Sequence, residues 1–495
     1  MRIDDLMAAT GVAFGTSGAR GLVVAMTDRV CYAYVRGFLQ YLQRESTLNP
    51  GGEVGIAGDL RPSSGRIMAA CARAVVDAGL RPRCFGRIPT PALAAIGMAD
   101  AIPTLMVTGS HIPDDRNGIK FNTAEGEILK ADEAEIRAQV VSLPERIFTE
   151  AGAFAEAADT RLPATDASAL EAYVGRYLRF FPRDSLAGVR VGLYEHSSVA
   201  REPLYAVLTG LGAEVQRLGY SDTFVPVDTE AVRPEDVSLA REWGAAGEFD
   251  ALVSADGDGD RPLVSDERGE WLRGDVAGVL CARALGAEGV VTPVSSNTLV
   301  ERCGWFRRVL RTRIGSPFVI SGMEALRRES CEPVVGYEAN GGFLTASDIF
   351  SEGRRLPALP TRDALIVALS LLIAGPAQGR PISSLVGDLP RRFTHSDRIK
   401  DFPTESSHRR LGELVTGDAA RDRGAIEAAF GADFGPVAGL DTTDGVRITF
   451  TDGSIAHLRP SGNAPELRAY TEAESPERAA AMNSRCLEIL ARWRD

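Results

Sequence analysis

Segments typical of buried strands alternate with amphipathic helical segments along most of this chain. The run EVGIAGD (53–59) precedes the helical pattern GRIMAACARAVVDAGL (65–80), and IPTLMVTG (102–109) is the next strand-like run. The same plan returns in GVRVGLYE (188–195) followed by SVAREPLYAVLTGLGAEV (198–215). Such alternation predicts mostly parallel sheets with helices packed on their faces. Binding loops in such sheets lie at the carboxyl ends of the strands.

The last part of the chain follows a different pattern. From about residue 440 the runs GVRITF (445–450) and IAHLR (455–459) flank an Asp452-Gly453 turn, and ELRAYTEA (466–473) follows. An Asp-Gly pair between alternating strands indicates a hairpin, and Pro476 suits the first position of a helix. The sequence therefore predicts an α+β domain at the C-terminal end. At 495 residues the chain is expected to form roughly three or four domains.

Charge and cysteine content narrow the class of protein. The net charge of −12 argues against nucleic acid or an anionic membrane as the main partner. The seven cysteines are scattered and form no CxxC pair, which is typical of reduced thiols in a cytoplasmic protein. The N-terminus has no apolar stretch of the kind found in signal peptides. The apolar run 364–375 is too short to cross a bilayer and predicts a buried helix.

Three aspartates alternate with glycines in SADGDGDRP (254–262), directly after a strand-like run. Residues two apart point the same way in an extended loop, so the carboxylates of Asp256, Asp258 and Asp260 are expected to converge on a hard cation, Mg²⁺ or Ca²⁺. Three other interpretations stay open. An EF-hand would use Glu267 at its twelfth position, a phosphatase would use Asp256 as nucleophile, and a solvated acidic turn would bind nothing.

Ser110 lies on a glycine turn in VTGSHIPDDRNGIKF (107–121). Ser110 is a candidate for the remaining metal ligand, above all as a phosphoserine with its additional negative charge. The motif is not a nucleophile elbow, because Ile112 stands where the second glycine of GxSxG is required. Taken alone, the Ser-His pair and Lys120 are more typical of an ordinary polar surface loop.

RPSGNAPELRAY (459–470) has the composition of an anion-binding loop. Small residues let backbone N–H groups turn toward an anion, and arginines bind phosphate in bidentate fashion. The candidate ligands are Arg459, Ser461, Gly462, Asn463 and Arg468. The alternative is a turn with two exposed arginines.

Two further glycine-rich loops carry polar side chains. In GYEANGG (336–342), Glu338 and Asn340 are two residues apart and their oxygens are expected to accept hydrogen bonds from adjacent hydroxyls of a polyol. In FGTSGARG (14–21), Ser17 and Arg20 are candidate site residues. The simpler interpretation of both loops is a structural glycine turn.

Taken together, the five motifs resemble those of the α-D-phosphohexomutase superfamily, which includes phosphomannomutases, phosphoglucomutases and phosphoglucosamine mutases. The family pattern is GTSGxRG, a T(A/G)SHNP loop followed by NGxK, DGDxDR, a GEExGG-like loop and RPSGTEPxxRxY. The matching stretches extend from residue 14 to residue 470, so the resemblance covers nearly the whole chain.

The resemblance implies a fold of four domains around a central cleft, three of them mixed α/β and the C-terminal one a smaller α+β domain. The expected domains, each named by the loop it carries, are 1–155 with the phosphoserine loop, 156–264 with the metal loop, 265–380 with the sugar loop and 381–495 with the phosphate loop.

The resemblance also implies a role for each candidate residue. Ser110 carries the phosphoryl group, with Arg20, His111, Lys120 and Arg261 around it. Mg²⁺ is held by Asp256, Asp258, Asp260 and an oxygen of the phosphorylated Ser110. Glu338 and Asn340 select the sugar. The phosphate that is not being transferred is bound by Arg459, Ser461, Gly462, Asn463 and Arg468.

The expected activity is that of a phosphomannomutase, which interconverts mannose 1-phosphate and mannose 6-phosphate through a phosphoserine enzyme and a sugar bisphosphate, with glucose phosphates as further substrates. A phosphoglucosamine mutase is the alternative within the family. Two alternatives without mutase activity are a metal-dependent phosphohydrolase and a non-catalytic protein that binds sugar phosphates. The expected partner is a hexose phosphate, with no nucleic acid and no membrane, in a cytoplasmic monomer or homodimer.

Three positions depart from the family pattern. Ile112 replaces the usual asparagine of the phosphoserine loop, and Asn463-Ala464 replaces threonine-glutamate in the phosphate loop. Ala339-Asn340 stands where many members have glutamate-serine or methionine-serine. The last departure bears on the choice of sugar.

Overall fold

The structure, a computed structural model, describes residues 1–15, 18–156, 160–461 and 465–494. Within these residues, four sheets of at least four strands follow one another along the chain, each with its own helices. The mixed α/β architecture with a separate C-terminal sheet confirms the predicted fold class. The domain boundaries after residues 155, 264 and 380 stay predictions. Across the same residues, no helix combines the length and apolar character that a membrane span requires.

The first unit contains a seven-stranded sheet. Its strands are β1 (Ala13–Phe14), β2 (Gly18–Leu22), β3 (Glu53–Gly58), β4 (Arg81–Arg87), β5 (Thr104–Val107), β6 (Arg116–Thr123) and β7 (Gly126–Glu127). Its helices are α1 (Ile3–Thr10), α2 (Asp28–Arg44), α3 (Ser64–Asp77), α4 (Thr90–Asp100) and α5 (Lys130–Ala138). The strand order is β1-β2-β6-β5-β3-β4, with β7 beside β6. Because β3 is parallel to β5, the loops that follow these two strands are neighbours at one edge of the sheet.

The second unit has a four-stranded sheet. Its elements are α6 (Ser168–Phe180), β8 (Arg190–His196), α7 (Arg201–Gly210), β9 (Glu214–Tyr220), α8 (Pro234–Ala245), β10 (Ala251–Ala255) and β11 (Pro262–Val264). The order is β11-β10-β8-β9, with β8 parallel to both β9 and β10. The three aspartates lie in the turn between β10 and β11. A strand, not a helix, precedes that turn, which excludes the EF-hand interpretation.

The third unit repeats the parallel plan. Its elements are α9 (Gly274–Ala284), β12 (Gly289–Pro293), α10 (Leu299–Arg302), β13 (Arg308–Thr312), α11 (Ser316–Arg328), β14 (Val334–Tyr337), β15 (Phe343–Thr345), β16 (Ile349–Ser351), β17 (Arg354–Leu356), α12 (Ala364–Ala374) and α13 (Ile382–Gly387). The main sheet has the order β13-β12-β14-β15. The apolar run at 364–375 forms the buried helix α12, as predicted, because nearly every side chain of this helix packs into the core.

The fourth unit is built on a five-stranded antiparallel sheet. Its elements are β18 (Phe393–Lys400), α14 (Thr404–Leu414), α15 (Ala419–Phe434), β19 (Val437–Asp441), β20 (Val446–Phe450), β21 (Ile455–Pro460), β22 (Glu466–Ala473) and α16 (Pro476–Ala491). The order is β18-β22-β21-β20-β19. The β20–β21 hairpin turns at Asp452-Gly453 and α16 begins at Pro476, which confirms both predictions.

One hydrophobic cluster spans three units of the molecule, while most of the first unit packs a separate cluster that includes Phe38 and Phe121. The first three units share one cluster, to which Phe85, Tyr173 and Leu365 contribute from successive units. The fourth unit packs a cluster of its own, which includes Phe430 and Leu458. The first three units are therefore joined by shared apolar packing, whereas the described residues of the fourth unit's cluster all lie within 393–493.

Candidate active site

Ser110 occupies a tight turn directly after β5. Its backbone has φ 56°, in the left-handed region that costs an ordinary residue about 1–2 kcal/mol. The Ser110 N–H donates to Thr108 Oγ1 at 2.7 Å, and the residue is buried. The turn therefore holds the hydroxyl of Ser110 in one place, as a reacting oxygen requires.

The Ser110 hydroxyl joins the first unit to the second. Ser110 Oγ donates to Asp256 Oδ2 at 2.6 Å. The other oxygen of Asp256 accepts the backbone N–H groups of Asp260 and Arg261 at 3.1 and 3.2 Å. Both oxygens of Asp256 are thus engaged within the site, which disfavours this carboxylate as the nucleophile of a phosphohydrolase.

Asp256, Asp258 and Asp260 converge as predicted. Each carboxylate offers an oxygen within 4.8 Å of the other two, and all three residues are buried. Asp258 Oδ1 and Asp260 Oδ1 are buried without a hydrogen-bond partner. Burial and the two neighbouring carboxylates raise the pKa of Asp256 well above its ordinary value. Closely spaced hard oxygens with unsatisfied lone pairs fit a divalent cation.

Glu267 does not join this cluster. Its carboxylate oxygen Oε2 accepts the backbone N–H of Ser383 at 3.2 Å, at the start of helix α13. An EF-hand would require this carboxylate to close the metal site from the twelfth loop position. The position of Glu267 is therefore a second reason to exclude an EF-hand.

Lys120 extends from β6 into the acidic cluster. Its ammonium donates to Asp258 Oδ2 and to Asp260 Oδ2, each at 2.6 Å. Burial alone would lower the pKa of Lys120, but the two carboxylates outweigh burial and raise it. Lys120 is thus a buried cation beside the serine loop, and the surface-charge interpretation is wrong.

Arg261 and His111 form a second polar group beside Ser110. Arg261 Nη1 donates to His111 Nδ1 at 2.8 Å, and that nitrogen lies 3.3 Å from Ser110 Oγ. Because a guanidinium only donates, Nδ1 is the unprotonated nitrogen. Burial, with the charge of Arg261, lowers the pKa of His111 to about 3. His111 is therefore a neutral imidazole at physiological pH.

Arg20 lies on β2, in the same cleft as Ser110. Burial and the nearby Arg261 lower the pKa of Arg20 to about 10, so the guanidinium keeps its charge at neutral pH. Arg20, Lys120 and Arg261 together give the serine loop three cationic neighbours, which suits a group with several negative charges.

Glu338 and Asn340 follow β14 and line the cleft. Glu338 Oε2 accepts a hydrogen bond from Arg362 Nη1 at 3.3 Å. The Asn340 side-chain oxygen already accepts the Gly342 N–H at 2.9 Å. The Asn340 oxygen therefore closes the local turn and keeps one lone pair, its NH₂ group is available as a donor, and its role toward the sugar stays a prediction.

The paired arginines of the fourth unit face each other. Arg459 and Arg468 are direct partners in the β21–β22 register. Asp444 pairs with Arg459 at 2.8 Å and Glu466 with Arg468 at 3.2 Å, while Arg468 Nε is buried without a partner. Like charges directly opposite one another are unfavourable in a sheet, so the pair is suited to an anion.

Ser461 lies directly after β21, between Arg459 and Arg468 in the sequence, and also lines the cleft. Gly462 and Asn463, which complete the predicted phosphate loop, lie outside the described residues. Ser17, a candidate in the first glycine loop, lies outside them as well.

One cleft with a volume of about 770 Å³ is lined by residues of the serine loop, the sugar loop and the phosphate loop. All four units contribute to its wall, so the described candidate residues of the reacting, sugar and phosphate sites face one space. Its polar lining includes Arg20, Ser110, His111, Lys120, Lys130, Glu230, Arg261, Glu338, Asn340, Arg362, Arg459, Ser461 and Arg468.

Four charged residues of the cleft were not predicted from the sequence, namely Arg116, Lys130, Glu230 and Arg362. Lys130, Glu230 and Arg362 belong to no recognisable motif, and a single charge in a sequence normally indicates a solvated surface. Arg362 is buried and donates to Asp260 Oδ2 at 3.1 Å as well as to Glu338. It therefore links the metal loop to the sugar loop.

Fold and cleft define an enzyme that acts on small phosphorylated molecules. Family models for phosphoglucomutase/phosphomannomutase match residues 11–146 as α/β/α domain I, 273–393 as α/β/α domain III and 415–489 as the C-terminal domain. The chain belongs to this phosphoglucomutase/phosphomannomutase family, within the α-D-phosphohexomutase superfamily, and is an isomerase of the phosphohexomutase type.

Curated relatives align with nearly the whole chain. A phosphomannomutase of Salmonella muenchen is 43% identical over 476 residues, which cover 96% of this chain and 95% of the relative. A phosphomannomutase of Sinorhizobium fredii is 41% identical over 484 residues, which cover 97% and 99%. A probable phosphoglucosamine mutase of Methanopyrus kandleri is 27% identical, with 97% of this chain and 98% of the relative covered. The phosphoglucosamine mutase is thus the more distant relative.

A solved structure confirms the fold independently. A phosphoglucomutase/phosphomannomutase family protein from Burkholderia thailandensis superposes with a TM-score of 0.72 at 19% identity, and 97% of each chain is covered.

Proposed function

We propose that the protein is a phosphomannomutase that interconverts mannose 1-phosphate and mannose 6-phosphate. The observation that carries the proposal is the Ser110 hydroxyl, held 2.6 Å from Asp256 in a cleft that also contains a separate arginine pair. A mutase needs one place where phosphate is transferred and another where phosphate is only held, and this cleft offers both. The two relatives above 40% identity, both named phosphomannomutase, support mannose as the sugar.

In the proposed route, Ser110 begins the cycle as a phosphoserine. The sugar hydroxyl oxygen attacks the phosphorus, the bond between phosphorus and Ser110 Oγ breaks, and the proton lost by the sugar hydroxyl ends on Ser110 Oγ, which becomes a free hydroxyl. The product is a sugar 1,6-bisphosphate. After this intermediate turns round, its other phosphoryl group returns to Ser110 Oγ and the isomeric monophosphate is released. The bisphosphate is therefore both an intermediate and the compound that loads an unphosphorylated enzyme.

The three aspartates would hold Mg²⁺ together with an oxygen of the phosphorylated Ser110. The fit depends on the two buried, unpartnered oxygens of Asp258 and Asp260. Bound there, Mg²⁺ would offset negative charge on the phosphoryl group.

The cations of the chain would stabilise the remaining charge. Lys120 lies within hydrogen-bond distance of two aspartates, and Arg20 and Arg261 keep their charges in the same cleft. Fixed cations in a water-poor site stabilise developing charge without reorganising during transfer. A neutral His111 is suited to accept a hydrogen bond from Arg261, and thereby to fix the orientation of that guanidinium beside the serine.

Glu338 is expected to accept a hydroxyl of the sugar. Exchanging Glu338 for glutamine keeps the shape, removes the charge and replaces one of the two acceptor oxygens by a donor NH₂ group, and the loss of an acceptor in a desolvated site costs roughly 1–3 kcal/mol. We expect kcat/KM on mannose 1-phosphate to fall by about 5- to 150-fold, with a weaker preference for mannose over glucose. The measurement is a rate comparison on the two sugar 1-phosphates.

Glu332→Gln is the matched control, because Glu332 lies in the same unit and forms an exposed ion pair with Arg327. Unchanged rates and an unchanged sugar preference in Glu338→Gln would place this loop away from the sugar.

Arg468 is expected to hold the phosphate that is not transferred. Contacts made equally in the ground state and the transition state set KM and leave kcat largely unchanged. Arg468→Ala should therefore raise KM for mannose 1-phosphate about tenfold and increase the bisphosphate released per turnover. Arg485→Ala, on the exposed face of α16, is the control. A parental KM together with parental bisphosphate release would remove Arg468 from the phosphate site.

Incubation with mannose 1-phosphate, Mg²⁺ and a trace of mannose 1,6-bisphosphate tests the proposal as a whole. Mannose 6-phosphate is the expected product. Free mannose and inorganic phosphate would indicate a phosphohydrolase, and no product at all would indicate a binding protein. A higher kcat/KM on glucosamine 1-phosphate than on mannose 1-phosphate would favour the phosphoglucosamine mutase.

We also propose a cytoplasmic enzyme, active as a monomer or a homodimer. All seven cysteines are free thiols and six are buried, which suits a reducing compartment. The described cleft residues come from all four units of one chain, which supports a monomer as the active unit.

A further inference from the structure

Arg61 follows β3 and is fully buried against the serine loop. Its guanidinium donates to the carbonyl oxygens of Ser110 at 2.7 Å, Ile112 at 2.6 Å, Pro113 at 2.8 Å and Arg116 at 3.3 Å. One side chain therefore fixes four carbonyl groups, all within residues 110–116, of the turn that carries the reacting hydroxyl. A planar fork of donors is suited to this, and the single ammonium of a lysine is not.

The hydrogen bonds around Arg61 close into a ring. Asp59 Oδ2 accepts from Arg61 Nε at 3.1 Å and from Thr108 Oγ1 at 2.7 Å. Thr108 Oγ1 in turn accepts the Ser110 N–H at 2.7 Å, and Arg61 returns to the Ser110 carbonyl oxygen. Both polar atoms of the Ser110 backbone are thus held by one connected network, which over-determines its left-handed conformation.

The guanidinium of Arg61 is also closely packed on two sides. A Cβ atom on Gly109 would lie 2.7 Å from Arg61 Cζ, so the serine turn has no room for a side chain at that position. On the other side, the ring of Phe224 from the second unit lies 4.0 Å from Arg61 Cζ. This cation–π contact ties the serine turn to the unit that carries the three aspartates.

We propose that Arg61 is the positioning residue for phosphoryl transfer at Ser110. It acts through the backbone of the turn, aligning Ser110 Oγ with the aspartate cluster, and it contacts neither sugar nor phosphate. The proposal rests on the function proposed above. A displacement of about 1 Å in a reacting atom costs roughly 100-fold in rate, whereas groups that only bind substrate are unaffected.

Arg61→Lys tests whether the planar set of guanidinium donors is required, because lysine keeps the positive charge but has a single ammonium group. We expect the single-turnover transfer of labelled phosphate from Ser110 to mannose 1-phosphate to slow by about 100-fold, while KM stays within about threefold of the parent. If Arg61 only neutralises Asp59, lysine restores the parental rate and the proposal is overturned. Arg66→Lys is the matched control, since Arg66 pairs with Asp28 in the same unit, away from the turn.

Phe224→Leu is the second variant, used if Arg61→Lys does not fold. Losing the ring face should slow transfer by about 3- to 10-fold without changing KM, and a parental transfer rate would overturn the proposal.

Failure of the proposed function can be distinguished from failure of the inference about Arg61. In that case the parent itself transfers no label from Ser110, and the inference falls with it; a parent and an Arg61→Lys variant that transfer equally well refute the inference alone.

Discussion

Ser110→Ala is expected to lower turnover of mannose 1-phosphate by at least roughly a thousandfold, because the variant lacks the oxygen that carries the phosphoryl group. The fold should survive. Among the described residues, the lost hydroxyl donates to Asp256 and lies 3.3 Å from His111 Nδ1, while the backbone of the turn is held by Thr108 and Arg61. Steady-state rates and circular dichroism of the purified variant check both expectations.

Peptide mass analysis completes this experiment. The active parent should carry phosphate on Ser110, and the variant should carry none. Ser370→Ala is the matched control, since Ser370 is a buried serine in helix α12, outside the cleft. Phosphate on Asp256 of the parent would contradict the assignment and favour the phosphohydrolase.

Removal of the divalent cation is expected to have the second large effect. EDTA should abolish activity and Mg²⁺ should restore it, because without the ion the charge of the phosphoryl group beside the three buried carboxylates is not offset. Asp258→Asn keeps the shape of the loop but removes one charge. We expect this variant to lose at least about 100-fold in kcat, or roughly 2.7 kcal/mol of transition-state stabilisation, and to need more Mg²⁺ for half-maximal rate.

Asp250→Asn serves as the control for the metal experiment. Asp250 directly precedes β10, the strand that leads into the three aspartates, and it forms a partly exposed ion pair with Arg190. Binding of Mg²⁺ measured by calorimetry separates loss of the ion from loss of chemistry. Full activity in EDTA, in the parent or in Asp258→Asn, would refute the metal site.

The alternation of strands and helices was enough to predict the fold class. Each buried strand and each amphipathic helix has a local spacing of apolar residues that can be recognised in the sequence. The predictions did not include β18. This strand pairs along its whole length with β22, about 70 residues further on, and its alternation is broken by exposed charges such as Arg398. A pairing between distant segments depends on tertiary contacts that no local pattern records.

The same distinction explains which site residues were predicted. Ser110 and the three aspartates lie on glycine-rich loops at strand ends, where the motif itself restricts the geometry. Arg61 and Arg362 look like surface charges in the sequence, and only the packed structure reveals that both are buried among carbonyl or carboxylate oxygens. The Asn340 amide illustrates a third case, because its hydrogen bond with the Gly342 N–H forms only in the folded turn.

A single turnover with enzyme labelled at Ser110 tests the central claim most directly. Phosphoenzyme carrying labelled phosphate is mixed with one equivalent of unlabelled mannose 1-phosphate, and the products are separated over time. The label is expected first in mannose 1,6-bisphosphate and then at the 6-position of mannose 6-phosphate, while Ser110 ends with unlabelled phosphate. Mannose 6-phosphate that forms while the label stays on the protein, or label that is released as inorganic phosphate, would contradict transfer through Ser110.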